Sequence, residues 1–191
     1  ASGKPLSAVA ANLSAPGEMT ALVRAQPAGR KRVFWLSAEA RPPGPPLVRL
    51  APPATDRSPF RIIGRTYEAQ VDPQRGGVLA SLTWLAPGGR RLETLGPGGM
   101  NWTWTASSGR SDQASQGATP IEVLENGPAR LVLRATAADV GGAGNAFTVT
   151  SFFYPECLDQ HYEYHSQTVF QTSALKLWCF LSPQGYRAGV K

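Results

Sequence analysis

Tyr67-Glu68-Ala69-Gln70-Val71-Asp72-Pro73-Gln74-Arg75-Gly76-Gly77-Val78-Leu79-Ala80-Ser81-Leu82 reads as two runs of strand length joined by a tight turn. Asp followed by Pro, with Gly closing, is the residue chemistry of a type I turn, extended here by a glycine free to take positive φ. The flanking runs, the first reaching from Phe60 to Val71, are rich in β-compatible residues and show no 3.6-residue stripe, so the stretch is expected to be an antiparallel hairpin. An all-β, antiparallel fold of sandwich or supersandwich type follows if the rest of the chain behaves the same way.

It does. Pro87-Gly88-Gly89-Arg90 makes a second hairpin turn, between Ser81 to Leu85 and Arg91 to Leu95. Asn126-Gly127-Pro128 joins Thr119 to Glu125 with Ala129 to Ala137, and further strands are expected at Phe147 to Tyr154, Tyr162 to Phe170 and Leu175 to Leu181. Between Gly96-Pro97-Gly98-Gly99 and Gln116 the punctuation is so dense that a long irregular region is expected, holding Asn101-Trp102-Thr103-Trp104. Upstream, Ser7 to Leu13, Met19 to Gln26, Arg32 to Ala40 and Leu47 to Leu50 read as short strands. These suggest a small N-terminal β region over 1–50, a proline-rich linker over 51–59 that is unfit for a central strand, and a larger domain over 60–191. The strand-like C-terminal end suggests a fragment or subunit of something larger.

Composition narrows the class. The 20 glycines and 17 prolines make about a fifth of the 191 residues turn-forming, while 42% hydrophobic content keeps the chain outside the disordered class. No stretch approaches the roughly 20 apolar residues of a membrane span, and Ala1-Ser2-Gly3-Lys4 lacks the apolar core of a leader, which processing would remove. The net charge of +6 is spread along the chain without a basic stripe or a recognisable module, so neither nucleic acid nor membrane is expected as a partner. Cys157 and Cys179 leave the compartment open; two buried thiols acting as small apolar residues are the plain expectation. Asn12-Leu13-Ser14 and Asn101-Trp102-Thr103 fit the N-glycosylation sequon, relevant only in a secreted eukaryotic protein.

One dense ionisable cluster holds both histidines: Asp159-Gln160-His161-Tyr162-Glu163-Tyr164-His165-Ser166-Gln167. In an extended chain Asp159, His161, Glu163, His165 and Gln167 share one face, with Tyr162, Tyr164 and Ser166 on the other. Such a ladder suits proton transfer on a sugar, with His161, Glu163, His165 and Tyr164 as the acid/base group. The same His-x-Glu-x-His spacing suits a divalent metal held by His161, Glu163 and His165. The plain alternative is a solvated outer sheet face. Trp102, Trp104, Tyr162 and Trp178 are candidates for stacking on sugar rings, with ordinary sheet packing as the alternative. No Gly-x-Ser-x-Gly elbow, phosphate-binding glycine loop or Cys-x-x-Cys pair is present.

The opening hairpin, Tyr67 to Leu82, resembles that of galactose-mutarotase-like β-supersandwich domains, as in α-mannosidase C-terminal regions and polysaccharide lyases. Asn126-Gly127-Pro128-Ala129-Arg130-Leu131-Val132-Leu133-Arg134 is similar to the strand that follows in those domains. Over residues 60 to 182 the resemblance implies a large antiparallel double sheet whose concave face meets carbohydrate. It carries no catalytic residues onto this chain. The expectation is therefore an extracellular or periplasmic carbohydrate-active module that binds or processes an acidic glycan as a lyase or hydrolase part. The alternative is a non-enzymatic structural, assembly or adhesion module that joins other chains or domains.

Overall fold

The computed structural model describes residues 11–14, 18–21, 45–51, 55, 57–106, 109–140, 145–165 and 172–181, with the backbone alone for 11–14, 18–21, 97, 104–106, 109–111, 139–140 and 172–181. The strands are β1 (Ala11–Ser14), β2 (Glu18–Ala21), β3 (Arg49–Ala51), β4 (Phe60–Ile63), β5 (Tyr67–Asp72), β6 (Val78–Leu85), β7 (Arg91–Glu93), β8 (Leu95–Ala106), β9 (Gly109–Asp112), β10 (Ile121–Asn126), β11 (Leu131–Val140), β12 (Asn145–Phe153), β13 (Leu158–His165) and β14 (Thr172–Leu181). Every pairing among them is antiparallel, and no α-helix occurs among the described residues. The all-β expectation holds.

The strands form a large eight-stranded sheet, ordered β14-β8-β6-β5-β4-β3 with β7 and β9 attached to β6 and β8, and a four-stranded sheet ordered β10-β11-β12-β13. β1 and β2 pair separately. The two main sheets share one core: Val48, Ile62, Tyr67, Ala69, Val71, Leu79 and Leu95 from the larger meet Leu131, Leu133 and Phe153 from the smaller. Fully burying an aliphatic or aromatic side chain of this size stabilises by about 1.5–3 kcal/mol. This shared interior makes the molecule a sandwich. Period-two alternation directs it, since β12 alternates buried and half-buried residues from Asn145 to Phe153.

The β5–β6 hairpin forms as its residues dictate. Asp72 Oδ1 accepts from the Gln74 amide at 2.9 Å, Pro73–Arg75 make one 3-10 turn, and Gly76 and Gly77 take φ of 65° and 70°. Only glycine tolerates this backbone without strain. Gly76 has a second reason: a Cβ there would lie 2.1 Å from the Gln113 carbonyl oxygen. The turn is thus pressed against the segment around Gln113, with Gly76 N–H donating to Gly117 O at 2.8 Å and Gln113 Nε2 donating to Gly76 O at 3.0 Å.

Three expectations change. The irregular region around Asn101 is instead a twelve-residue strand, β8, paired with β14 and β9. Its polar residues are retained inside because they find partners: buried Asn101 donates from Nδ2 to Asp112 Oδ1 at 3.3 Å and accepts from the Ala114 amide at 3.0 Å. The run from Phe60 to Val71 is two strands, folded back at Gly64, where an added Cβ would meet the Tyr67 ring at 2.6 Å. Cys157 is an exposed free thiol in the β12–β13 turn, not a buried one, and the Cys179 side chain lies outside the described residues.

At the N-terminal side, Arg49–Ala51 joins the large sheet by pairing with β4, and Val48 is fully buried in the shared core. The strands expected over Ser7 to Leu13 and Met19 to Gln26 are described only as β1 and β2, and that over Arg32 to Ala40 lies outside the described residues. No described helix is long and apolar enough to cross a membrane.

Candidate functional site

Four adjacent strands, β4 to β7, turn their polar positions away from the core. Ile62, Tyr67, Ala69 and Val71 point inward, so period two sends Arg61, Glu68 and Gln70 outward. The two hairpin turns then fix which outward residues are neighbours. Glu68 lies opposite Thr83, Thr83 opposite Glu93, and Gln70 opposite Ser81, with Arg61 opposite Gln70 on the other side. The result is a polar cleft of about 320 Å³ on the outer face of the large sheet, lined by Arg61, Glu68, Gln70, Ser81, Thr83, Arg91 and Glu93.

Glu68 is its centre. Arg91 grips the carboxylate with two parallel bonds, Nη1 to Oε1 at 3.1 Å and Nη2 to Oε2 at 3.0 Å, and Arg61 Nη2 adds a third to Oε2 at 2.9 Å. The fork geometry of a guanidinium matches a carboxylate plane, so the group is held in orientation as well as charge. Arg91 and then Arg61 hold the Glu68 carboxyl at about 2, against an ordinary value of 4.5. It is an ionised acceptor at any physiological pH. Beside it, Thr83 Oγ1 donates to Glu93 Oε2 at 2.6 Å.

The polar ladder expected from Asp159 onward is extended, as its reading required, through β13, which ends at His165; Ser166 and Gln167 lie outside the described residues. Asp159, His161, Glu163 and His165 are exposed, while Tyr162 and Tyr164 are half-buried on the opposite face. The structure brings Glu163 and His165 within 4.0 Å, with 51% and 69% of their side chains exposed. His161 stands opposite Thr150 on an outer face that also carries the Arg134–Glu122 ion pair at 2.7 Å and the Thr136–Thr148 contact at 3.3 Å. Tyr164 is not among these groups: it packs near Ala137, Phe147 and Val149, and burial pushes its phenol up. Among the described residues, no three His, Cys, Asp or Glu side chains gather closely enough to hold a metal ion.

The aromatic candidates divide. Trp102 of the large sheet and Tyr162 of the small one meet with ring centroids 4.5 Å apart and planes tilted by 51°. Tyr162 also donates its hydroxyl to Gln160 Oε1 at 3.1 Å. Trp104 lies opposite Leu175, and Trp178 opposite Asn101, in the β8–β14 register; their side chains lie outside the described residues.

Sequence reasoning passed over Arg61, Glu68, Arg91 and Glu93 because each reads singly as an ordinary outward strand residue. The signal was present in the turns: once both hairpins are placed, the register brings Glu68, Thr83 and Glu93 into one row. The chain matches no protein-family model, and no curated protein matches it either.

Proposed function

We propose that this chain is a carbohydrate-binding β-sandwich module, related in architecture to galactose-mutarotase-like domains and working in an extracellular or periplasmic setting. The observation that carries the reading is the cleft on the outer face of the large sheet, where Arg61, Glu68, Arg91, Glu93, Thr83, Ser81 and Gln70 present donors and acceptors in one patch. Sugars are recognised by arrays of such planar polar groups, whose orientation is fixed before the ligand arrives. The Glu68 carboxylate is held by three charge-assisted bonds, so little is left to order on binding.

The same carboxylate argues for binding over processing. A general acid needs a pKa lifted toward the working pH, and Glu68 is displaced the other way. The reading is tested by recording amide and side-chain NMR spectra during titration with a panel of oligosaccharides. Shifts clustered on Arg61, Glu68, Ser81, Thr83 and Arg91 are expected. Shifts confined to His161, Glu163 and His165 would move the site to the histidine face, and a spectrum that never changes would end the carbohydrate reading.

Assembly with another chain is the second reading. β10 ends its sheet among the described residues, and it exposes Val123 at 41% and Leu124 at 43% beside a register shift. Apolar side chains on a sheet margin favour strand-to-strand association. A sedimentation mass that rises with concentration, and falls back in Val123→Lys, is the outcome this reading requires.

A further inference from the structure

We infer that the cleft between β4 and β7 selects an uncharged saccharide, through paired hydroxyls that bridge the Glu68–Arg91 plane, and rejects acidic glycans. This rests on the carbohydrate reading above and narrows it, replacing the acidic glycan expected from the sequence.

The argument is one of charge placement. The cleft's two cations, Arg61 and Arg91, face two anions, Glu68 and Glu93, so its formal charges cancel. Both guanidiniums point at one carboxylate, Arg91 through a two-bond fork. A uronate or sulfate would compete with Glu68 for those two guanidiniums and would enter beside the Glu68 and Glu93 carboxylates. Like charges brought together in a partly enclosed site are strongly disfavoured.

A hydroxyl meets no such conflict, because it donates and accepts at once. Glu68 receives three bonds at its two oxygens, where a carboxylate has about four acceptor sites. A guanidinium has about five N–H donors, of which Arg91 directs two at Glu68. One hydroxyl can therefore donate to the remaining acceptor site of the carboxylate while its neighbour accepts from the guanidinium edge of the same plane. Among the described residues no aromatic ring lines the cleft, so the sugar is held by its hydroxyl edge and not by stacking. The volume, about 320 Å³, sits at the low end of the roughly 300–1,000 Å³ of ligand pockets, which suits a short saccharide segment.

The test is a binding titration of the whole chain at neutral pH against two probe sets, neutral oligosaccharides (gluco-, manno-, galacto- and xylo-) and acidic ones (galacturonate, mannuronate and sulfated oligomers), at low and high salt. At least one neutral probe is expected to bind with an affinity unchanged by salt. Arg91→Ala and Glu68→Gln should each weaken it at least tenfold. Ser81→Tyr, which fills the cleft and leaves the ion pairs in place, should abolish it while the melting temperature holds. Binding to acidic probes alone, fading with salt, would overturn the selectivity and leave the carbohydrate reading standing. Binding to neither set would overturn both. Neutral binding indifferent to Ser81→Tyr would remove it from this cleft.

Discussion

Trp102 and Tyr162 stand face to tilted face across the sandwich, 4.5 Å between ring centres, one ring from each main sheet. This contact welds the margin of the four-stranded sheet to β8, and Tyr162 also packs near Phe147 and Val149. Tyr162→Ala is expected to cost about 3 kcal/mol, the usual scale for removing a packed aromatic ring. Because the ring lies away from the β4–β7 cleft, saccharide affinity should stay within twofold. Denaturant midpoints read against a binding titration separate the two effects.

Glu68 should make the fold acid-sensitive in a defined window. Its folded pKa of about 2 lies below the ordinary 4.5, so its contribution is complete above pH 4.5 and is lost as pH falls toward 2. The contribution is about 1 kcal/mol, because its Arg partners are more than half exposed and water screens them. Melting curves taken every half unit between pH 5 and 2 should show a drop that is shallower in Glu68→Gln. Curves that run parallel would mean the clamp adds nothing to stability.

His161→Ala and His165→Ala, alone or together, should change stability by less than about 0.5 kcal/mol, as expected for exposed side chains. They should also leave oligosaccharide affinity unaltered. An ultraviolet assay for unsaturated uronate is the direct check on the proton-transfer role that their spacing suggests. Product that disappears in the double variant would restore the histidine ladder as the working face.

Tyr67→Phe removes a hydroxyl that donates to Tyr154 O at 2.7 Å from a fully buried ring. The carbonyl loses its partner in the interior while the packing stays, and the expected loss is about 1–2 kcal/mol. Since the hydroxyl also reaches Cys157 O at 3.3 Å, the β12–β13 turn should exchange its amides faster in the variant. Hydrogen exchange at Tyr154 and Cys157 reads this directly.

The β5–β6 hairpin was legible because Asp72, Pro73 and the two glycines carry turn chemistry that survives without tertiary context. Strand β8 was not, for a physical reason. Gly96, Pro97, Gly98 and Gly99 look like punctuation, and Asn101 and Thr103 look like solvent-facing residues, yet both are buried. What permits this is a set of distant partners, Asp112 and Ala114 for Asn101, that no local window contains. The Asp159 to His165 alternation was readable to the residue, but alternation says only which side chains share a face. Whether that face is hollow or flat depends on what packs around it. The cleft was hidden for the converse reason: Arg61, Glu68 and Arg91 come from separate strands and meet only through register.

Two glycine-bearing turns of the large sheet differ in a way that matters to anyone wishing to graft onto this scaffold. At Gly76 the backbone is clasped by Gly117 and Gln113, and Thr119 N–H reaches Pro73 O at 2.8 Å, so extra residues inserted there would unseat a segment some forty positions downstream. At Gly88 and Gly89 an added side-chain carbon meets nothing within 4 Å. That bend is the natural port for a fluorophore, a peptide epitope or a permuted terminus, because it hangs clear of every neighbour described.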